Sequence, residues 1–156
     1  MGGRFALAIL AVLCLSRPAG ADPGDRGIVY TELLGKGGLW GLGYDYPLAR
    51  RLDAGAVASY VVLDGQHIWT LAPYARLAIA GGDRNRFYVD FGPQLVRVST
   101  PSPVPEWMGT SSTGVGTQLS AGFEHRSRAV LRVFVMGTIG RGGAAPWLGV
   151  DLGWAL

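Results

Sequence analysis

The stretch that decides the fold is residues 147–156 (WLGVDLGWAL), where large apolar residues occupy every second position. The apolar set is Leu148, Val150, Leu152, Trp154 and Leu156, and the set between them is Trp147, Gly149, Asp151, Gly153 and Ala155. Successive side chains of a strand point to opposite faces, so this period of two predicts a β-strand with one apolar face. Because strands of soluble sandwiches can share the pattern, the fold depends on how often it recurs.

The alternation recurs through most of the chain. It is clear in residues 40–46, 69–79, 87–95, 115–124 and 131–139. Residues 28–34 and 54–63 (AGAVASYVVL) are also typical of strands, although the two faces of 54–63 cannot be told apart. The repeat therefore predicts an all-β protein.

The breaks between these segments are of two alternating kinds. Tight, arginine-rich breaks lie at 48–53 (LARRLD), 81–85 (GGDRN) and 124–129 (EHRSRA). The others lie at 35–38 (GKGG), 64–67 (DGQH), 99–113 (STPSPVPEWMGTSST) and 140–145. If each kind forms one rim, the count is about eight strands, an even number as in single-chain bacterial barrels. If residues 28–47 formed one strand, the count would be seven.

The first residues have the features of an export signal. Arg4 precedes the apolar run 5–15 (FALAILAVLCL), and Pro18 is followed by the cleavage pattern Ala19-Gly20-Ala21. The run is shorter than the ~20 residues of a transmembrane helix. We predict a signal peptide over 1–21, cleaved near Ala21, and a single domain over 22–156. The only cysteine, Cys14, lies in the signal, which excludes disulfides and thiolate metal sites from the mature domain.

Composition favours a membrane environment without spanning helices. Hydrophobic residues make up 49% of the chain and charged residues 16%, against ~25% charged in typical soluble domains. No apolar run after residue 21 is long enough for a transmembrane helix. Without Arg4 and Arg17, twelve basic residues face eleven acidic ones, so the net charge falls from +3 to about +1. This balance gives no reason to predict nucleic-acid binding.

A sheet can cross lipid only if it closes on itself, because every backbone N–H and C=O must be paired. We therefore predict a closed, antiparallel, up-and-down transmembrane β-barrel with an apolar outer face and a small or polar inner face. An eight-stranded barrel has room inside only for its own side chains, so inward charges should form a plug. The predicted polar network is Glu32, Asp45, Arg76, Asp90, Glu124, Arg132 and Asp151. Because buried charges need partners, Arg76 and Arg132 should each contact at least one carboxylate.

Aromatic residues near the segment ends are expected at the level of the lipid headgroups. The predicted girdle consists of Trp40, Tyr46, Trp69, Phe87, Phe123 and Trp154. Two prolines within strand patterns, Pro73 and Pro93, should each mark a bulge or an end of pairing, because proline lacks the ladder N–H.

The signal, the alternation and the two kinds of break resemble those of small outer-membrane barrels of Gram-negative bacteria, of the OmpA transmembrane-domain type. The glycine-rich stretch 32–46 (ELLGKGGLWGLGYDY) is similar to first hairpins of that class. The resemblance implies outer-membrane localisation and contact with membrane lipid and lipopolysaccharide. It also implies that the barrel-insertion machinery reads the last strand, which usually ends in an aromatic residue. Here the last residue is Leu156 and the aromatic residue is Trp154.

Sequence motifs for chemistry are few. His125-Arg126-Ser127 matches two positions of the His-x-Ser pair of outer-membrane lipid A deacylases, but the only nearby acid is Glu124 and no glutamate follows it. The other histidine, His67, lies in a break and is expected to be a solvated loop residue. We predict no cofactor, no metal site and no catalysis.

Two main function classes remain from the sequence. The first is a structural or surface-interaction barrel whose exposed segment 99–113 contacts lipid or lipopolysaccharide. The alternative is a soluble, lipocalin-like barrel that binds a small apolar ligand, with its apolar face inward. A deacylase-like enzyme is a minor third. The single lysine of the chain, Lys36, favours the first class, because soluble exteriors carry far more charge.

Overall fold

The computed structural model describes residues 27–102, 109–140 and 143–156, so the predicted signal peptide lies outside the described residues. Eight strands account for nearly all of this part. They are β1 (Ile28–Gly35), β2 (Gly38–Ala49), β3 (Leu52–Leu63), β4 (Gln66–Gly81), β5 (Asn85–Thr100), β6 (Thr110–Arg126), β7 (Ala129–Gly140) and β8 (Gly143–Ala155). Within these residues no helix is long and apolar enough to cross a bilayer.

Each strand pairs antiparallel with the next, and β1 pairs with β8, so the sheet closes. The closing seam runs from Ile28↔Ala155 to Leu33↔Val150. The predicted all-β, up-and-down barrel of eight strands is thereby confirmed. The break at 35–38 is a true hairpin, because β1 and β2 pair back to Gly35↔Gly38. The seven-strand alternative is therefore wrong.

The connections form two rims. Residues 50–51, 82–84 and 127–128 connect strands at one end, together with the chain ends at Ile28 and Ala155, and we call this end the turn rim. Residues 36–37, 64–65, 101–109 and 141–142 connect strands at the other end, the loop rim. At the loop rim Asp64 and Gly65 both have positive φ (49° and 77°), as a two-residue type I′ hairpin requires.

The long break is shorter than predicted. Strands β5 and β6 stay paired as far as Thr100↔Thr110, inside the predicted loop 99–113. Residues 110–113 are all serine or threonine, so they show no alternation of apolar and polar residues from which a strand could be predicted. Pairing with β5 nevertheless extends β6 through them. Residues 103–108 lie outside the described part.

The wall is apolar outside and polar inside. Large residues such as Leu42, Phe91 and Leu148 are exposed on the outer face, whereas charged residues alternate with them on the buried face. This contradicts the lipocalin-like alternative, which requires the apolar face inside. The face of β3 that the sequence left open is settled by Asp53 and Ser59, which are buried in the interior.

Pro73 and Pro93 share a single interruption of the β4–β5 ladder. Pairing is in one register at Leu71↔Leu95 and at Ala75↔Phe91, and no partners are assigned in between. That register places the two prolines opposite one another, while Pro73 stays paired with β3 and Pro93 with β6. The prolines thus mark a lapse in pairing without a bulge; the bulge of this ladder lies between Ala78 and Ala80.

Candidate functional site

The charged interior is the part of the molecule with the most unusual chemistry. All of the predicted network residues lie there, each with at most 1% of its surface exposed. They are Glu32 on β1, Asp45 on β2, Arg76 on β4, Asp90 on β5, Glu124 on β6, Arg132 on β7 and Asp151 on β8. Seven of the eight strands, all except β3, contribute to this set, so the network links nearly the whole circumference.

Asp45 lies at the centre of the network. One of its oxygens, Oδ2, accepts hydrogen bonds from Arg76 Nη1 at 2.8 Å and from Arg132 Nη2 at 2.5 Å. The other, Oδ1, accepts one from the Tyr74 hydroxyl, which also bonds to the hydroxyl of Tyr30. One carboxylate thus connects the two arginines, and two tyrosines fix its orientation.

Each arginine also has a second carboxylate. Arg76 makes a bidentate pair with Asp90, from Nε to Oδ1 at 2.7 Å and from Nη2 to Oδ2 at 2.9 Å. Arg132 donates from Nε to Glu124 Oε2 at 2.6 Å and, less closely, from Nη1 to Asp151 Oδ2 at 3.3 Å. Such charge-assisted bonds are about twice as strong as neutral ones, and the fork geometry fixes the side chains.

Toward the loop rim, the interior contains a buried lysine from a turn. Lys36 follows β1 but is fully buried, with its Nζ 3.0 Å from Asp90 Oδ2 and 3.4 Å from Glu32 Oε2. The ammonium also lies 4.3 Å from the centroid of the Phe134 ring, a cation–π distance. Its carbonyl accepts a hydrogen bond from Gln94 Nε2 at 2.7 Å, so the turn is folded into the barrel mouth.

Toward the turn rim, a second layer is built on Glu124 and Asp53. Arg86 Nε donates to Glu124 Oε1 at 2.6 Å, and Arg86 also pairs with Asp53. Arg126 reaches the same two carboxylates, at 3.0 Å from Glu124 and 3.2 Å from Asp53. Since Glu124 also binds Arg132, it joins this layer to the central cluster.

Sequence reasoning missed four members of the interior: Lys36, Asp53, Arg86 and Arg126. Three of them had a usable signal, because Arg86 and Arg126 continue the inward parity of β5 and β6, and Asp53 shares the parity of Val57. Asp53 and Arg126 were assigned to the breaks 48–53 and 124–129, and Arg86 was left between the break 81–85 and the segment that begins at Phe87. Lys36 had no such signal, because it lies in a turn with no alternation to follow.

The predicted girdle residues lie on the outer wall at two heights. Trp40 and Trp69 lie near the loop rim, while Phe87, Phe123 and Trp154 lie near the turn rim, all of them exposed. Tyr46, also near the turn rim, is half-buried. Neighbouring rings touch at both heights: Trp69 lies 4.4 Å from Tyr60, and Phe87 lies 5.4 Å from Phe123, measured between ring centroids.

Both histidines form side-chain hydrogen bonds within the barrel. At the turn rim the Nδ1 of His125 lies 2.7 Å from the Asn85 side-chain oxygen, and the Ser127 hydroxyl donates to the carbonyl of Ala129 at 2.8 Å. His67 Nδ1 bonds to the hydroxyl of Tyr60 rather than to solvent alone. Glu124 forms ion pairs with Arg86 and Arg132 instead of contacting His125, so the arrangement does not support a deacylase site. In the described part no group of three metal-ligating residues converges.

No family model and no curated protein matches the sequence. Several solved structures share its fold, among them two small bacterial barrels. The N-terminal β-barrel domain of Pseudomonas aeruginosa OprF aligns over 84% of this chain and 96% of its own, with a TM-score of 0.64 and 14% identity. Ail, the attachment invasion locus protein of Yersinia pestis, aligns over 83% and 95%, with a TM-score of 0.53 and 11% identity. The chain therefore has the fold of these small eight-stranded barrels.

Proposed function

We propose that this protein is a structural or surface-interaction barrel of the bacterial outer membrane, inserted after export and removal of residues 1–21. The polarity of its wall carries the proposal. Leucine, valine, phenylalanine and tryptophan dominate the outside, while the charged strand residues other than Arg97 lie inside. Such a surface would be costly in water, whereas a closed sheet satisfies its backbone in lipid. The fold shared with two outer-membrane barrels supports it.

The interior acts as a plug in this proposal. Six acidic and five basic side chains pair with one another across it. Tyr30, Tyr88 and Phe134 fill the space between them and are at most 1% exposed. A permeating solute would have to separate several of these pairs, which is costly in a low dielectric. The barrel therefore serves through its surface and its loop rim, with neither transport nor catalysis.

The rims have different roles. The turn rim holds both ends of the described strand series, as an even number of strands requires. It faces the periplasm, because its connections are short and outer-membrane barrels have short periplasmic turns and longer extracellular loops. The loop rim, including 99–113, then faces outward and contacts lipopolysaccharide. Strand β8 presents Leu148, Leu152 and Trp154 outward for the insertion machinery, and these side chains are exposed. The aromatic residues at the two heights anchor the barrel in the headgroup regions.

Electrophoresis of the outer-membrane fraction tests the proposal. The protein expressed from its full sequence in a Gram-negative host should sediment with the outer membrane. It should also run at different positions before and after boiling, because a closed barrel resists detergent. The unheated band should resist trypsin except at loops. Recovery from the soluble periplasm, with no shift on boiling, would overturn it.

A further inference from the structure

An open, mostly apolar groove lies on the outer wall near the turn rim. Its volume is about 450 Å³, and it crosses the end of β6, β7, β8 and β1. Its wall residues include Val29, Leu131, Leu152 and Trp154. A groove of this kind on a lipid-facing wall fits a hydrocarbon chain, which offers no polar group to satisfy.

Strand register explains the shape of the groove. Trp154 is paired with Ala129 on one side and with Val29 on the other. One row along, Leu152 is paired with Leu131. Because Ala129 is small beside the indole of Trp154, the wall is recessed next to the 127–128 turn.

One of the described basic residues lies beside Trp154 at the edge of the groove. Arg128, exposed in the β6–β7 turn, has its guanidinium 5.2 Å from the centroid of the Trp154 ring. Stacking on a ring leaves the in-plane N–H groups of a guanidinium able to bind an anion such as phosphate. The neighbouring Ser127 offers no donor to such an anion, because its N–H and its hydroxyl both donate to the carbonyl of Ala129.

We infer that the groove binds one anionic phospholipid, with an acyl chain along Ala129, Leu131 and Leu152 and the phosphate group against Arg128. The inference rests on the proposed function, since the turn rim must lie at a phospholipid leaflet. The occupant follows from charge complementarity: the groove is apolar along its length and cationic at the end that reaches the headgroups. A zwitterionic lipid would leave its own cationic group near the arginine, so an anionic headgroup binds better.

Native mass spectrometry of the folded barrel in detergent tests this inference. The barrel is titrated with phosphatidylglycerol and, separately, with phosphatidylcholine of the same acyl chains. The wild-type protein should retain one phosphatidylglycerol in preference to phosphatidylcholine. Arg128→Gln should weaken phosphatidylglycerol binding about fivefold, the effect of one arginine at an anionic headgroup. Ala129→Leu should reduce binding of both lipids, because the side chain fills the recess.

Arg50→Gln is the matched control, because Arg50 is exposed on the same rim but does not line the groove. It should leave lipid retention unchanged. Equal retention of the two lipids by the wild type, or equal losses with Arg128→Gln and Arg50→Gln, would overturn the inference. Every variant is first checked for the mobility shift on boiling. Loss of that shift in the wild type would contradict the proposed function, whereas a folded barrel without lipid preference would contradict only the groove.

Discussion

Asp45 and Asp151 are both buried aspartates of the interior, but their surroundings differ. Asp45 receives hydrogen bonds from two arginines and a tyrosine, whereas Asp151 has one arginine contact at 3.3 Å. The Oδ1 atom of Asp151 has no hydrogen-bond partner among the residues that the structure describes. The stability of the barrel should therefore depend far more on the charge of Asp45.

We expect Asp45→Asn to lower the free energy of unfolding by about 3–5 kcal/mol, because it leaves buried arginines without full compensation. Asp151→Asn, the matched control, should cost about 1 kcal/mol or less, since it removes one long contact. Urea unfolding of the barrel in lipid vesicles, followed by tryptophan fluorescence, measures both. Equal losses for the two variants would contradict the central role of Asp45.

Gly92 lies so close to the backbone of the neighbouring strand that no side chain fits at this position. A Cβ there would overlap the carbonyl oxygen of Pro73 and lie 2.7 Å from the Cα of Tyr74. Gly92→Ala should therefore push β4 and β5 apart beside the prolines and lower the free energy of unfolding by about 1–3 kcal/mol. Gly137→Ala, also within a strand, meets nothing within 4 Å and should change it by no more than about 0.5 kcal/mol. The same urea titration distinguishes them, and an unaffected Gly92→Ala would show that the two strands can separate freely.

At the scale of elements, the closing seam gives the sharpest test of the fold. Leu33 on β1 and Val150 on β8 are directly opposite one another. Paired residues of neighbouring strands lie within the Cα separation that a disulfide needs. Since no cysteine follows Cys14, a Leu33→Cys/Val150→Cys variant should form a disulfide within the barrel on mild oxidation. After trypsin digestion, the peptide containing position 33 and the peptide containing position 150 should be detected as one linked species that separates on reduction.

The control for the seam is Leu33→Cys/Trp154→Cys, in which the second cysteine is four positions out of register. It should remain unlinked after the same oxidation. Linking of the control alone would mean that β8 meets β1 in another register.

Strands with a clear period of two were predictable from sequence, whereas the others needed their neighbours. In β5 and β6, large apolar residues alternate with polar or small ones, so their faces could be assigned. In β3 small residues such as Ala54, Gly55 and Ala56 occur on both faces, and the side that holds Asp53 is set by pairing with β2 and β4. Short-range patterns do not carry that information.

The inward direction of network residues within the strands could be predicted from sequence, whereas that of the buried turn residue Lys36 could not. Asp45 and Arg132 lie inside regular alternation, where parity alone gives their direction. Lys36 follows a strand in a turn, and its burial depends on Asp90, 54 positions away along the chain. Only the closed barrel brings such residues together, so the contacts of a turn side chain could not be read from local sequence.

At the scale of the whole molecule, the two rims should lie on opposite sides of the membrane. The turn rim holds the chain ends and exposed arginines such as Arg50 and Arg84, and the loop rim holds the Asp64-Gly65 hairpin. Both the 64–65 turn and the 82–84 turn are exposed, so each should tolerate a short inserted epitope. The barrel carries the two insertions to opposite faces.

In a Gram-negative host, an epitope between Asp64 and Gly65 should be labelled by antibody on intact cells. The same epitope after Asp83 should be labelled only once the outer membrane is permeabilised, because the proposed orientation places the turn rim in the periplasm. Both proteins must show the mobility shift on boiling, which excludes misfolding as a cause of missing label. Surface labelling at Asp83 but not at Asp64 would invert the orientation and place Arg128 and its groove at the lipopolysaccharide leaflet. If neither epitope is labelled even after the outer membrane is permeabilised, both hairpins are inaccessible to the antibody.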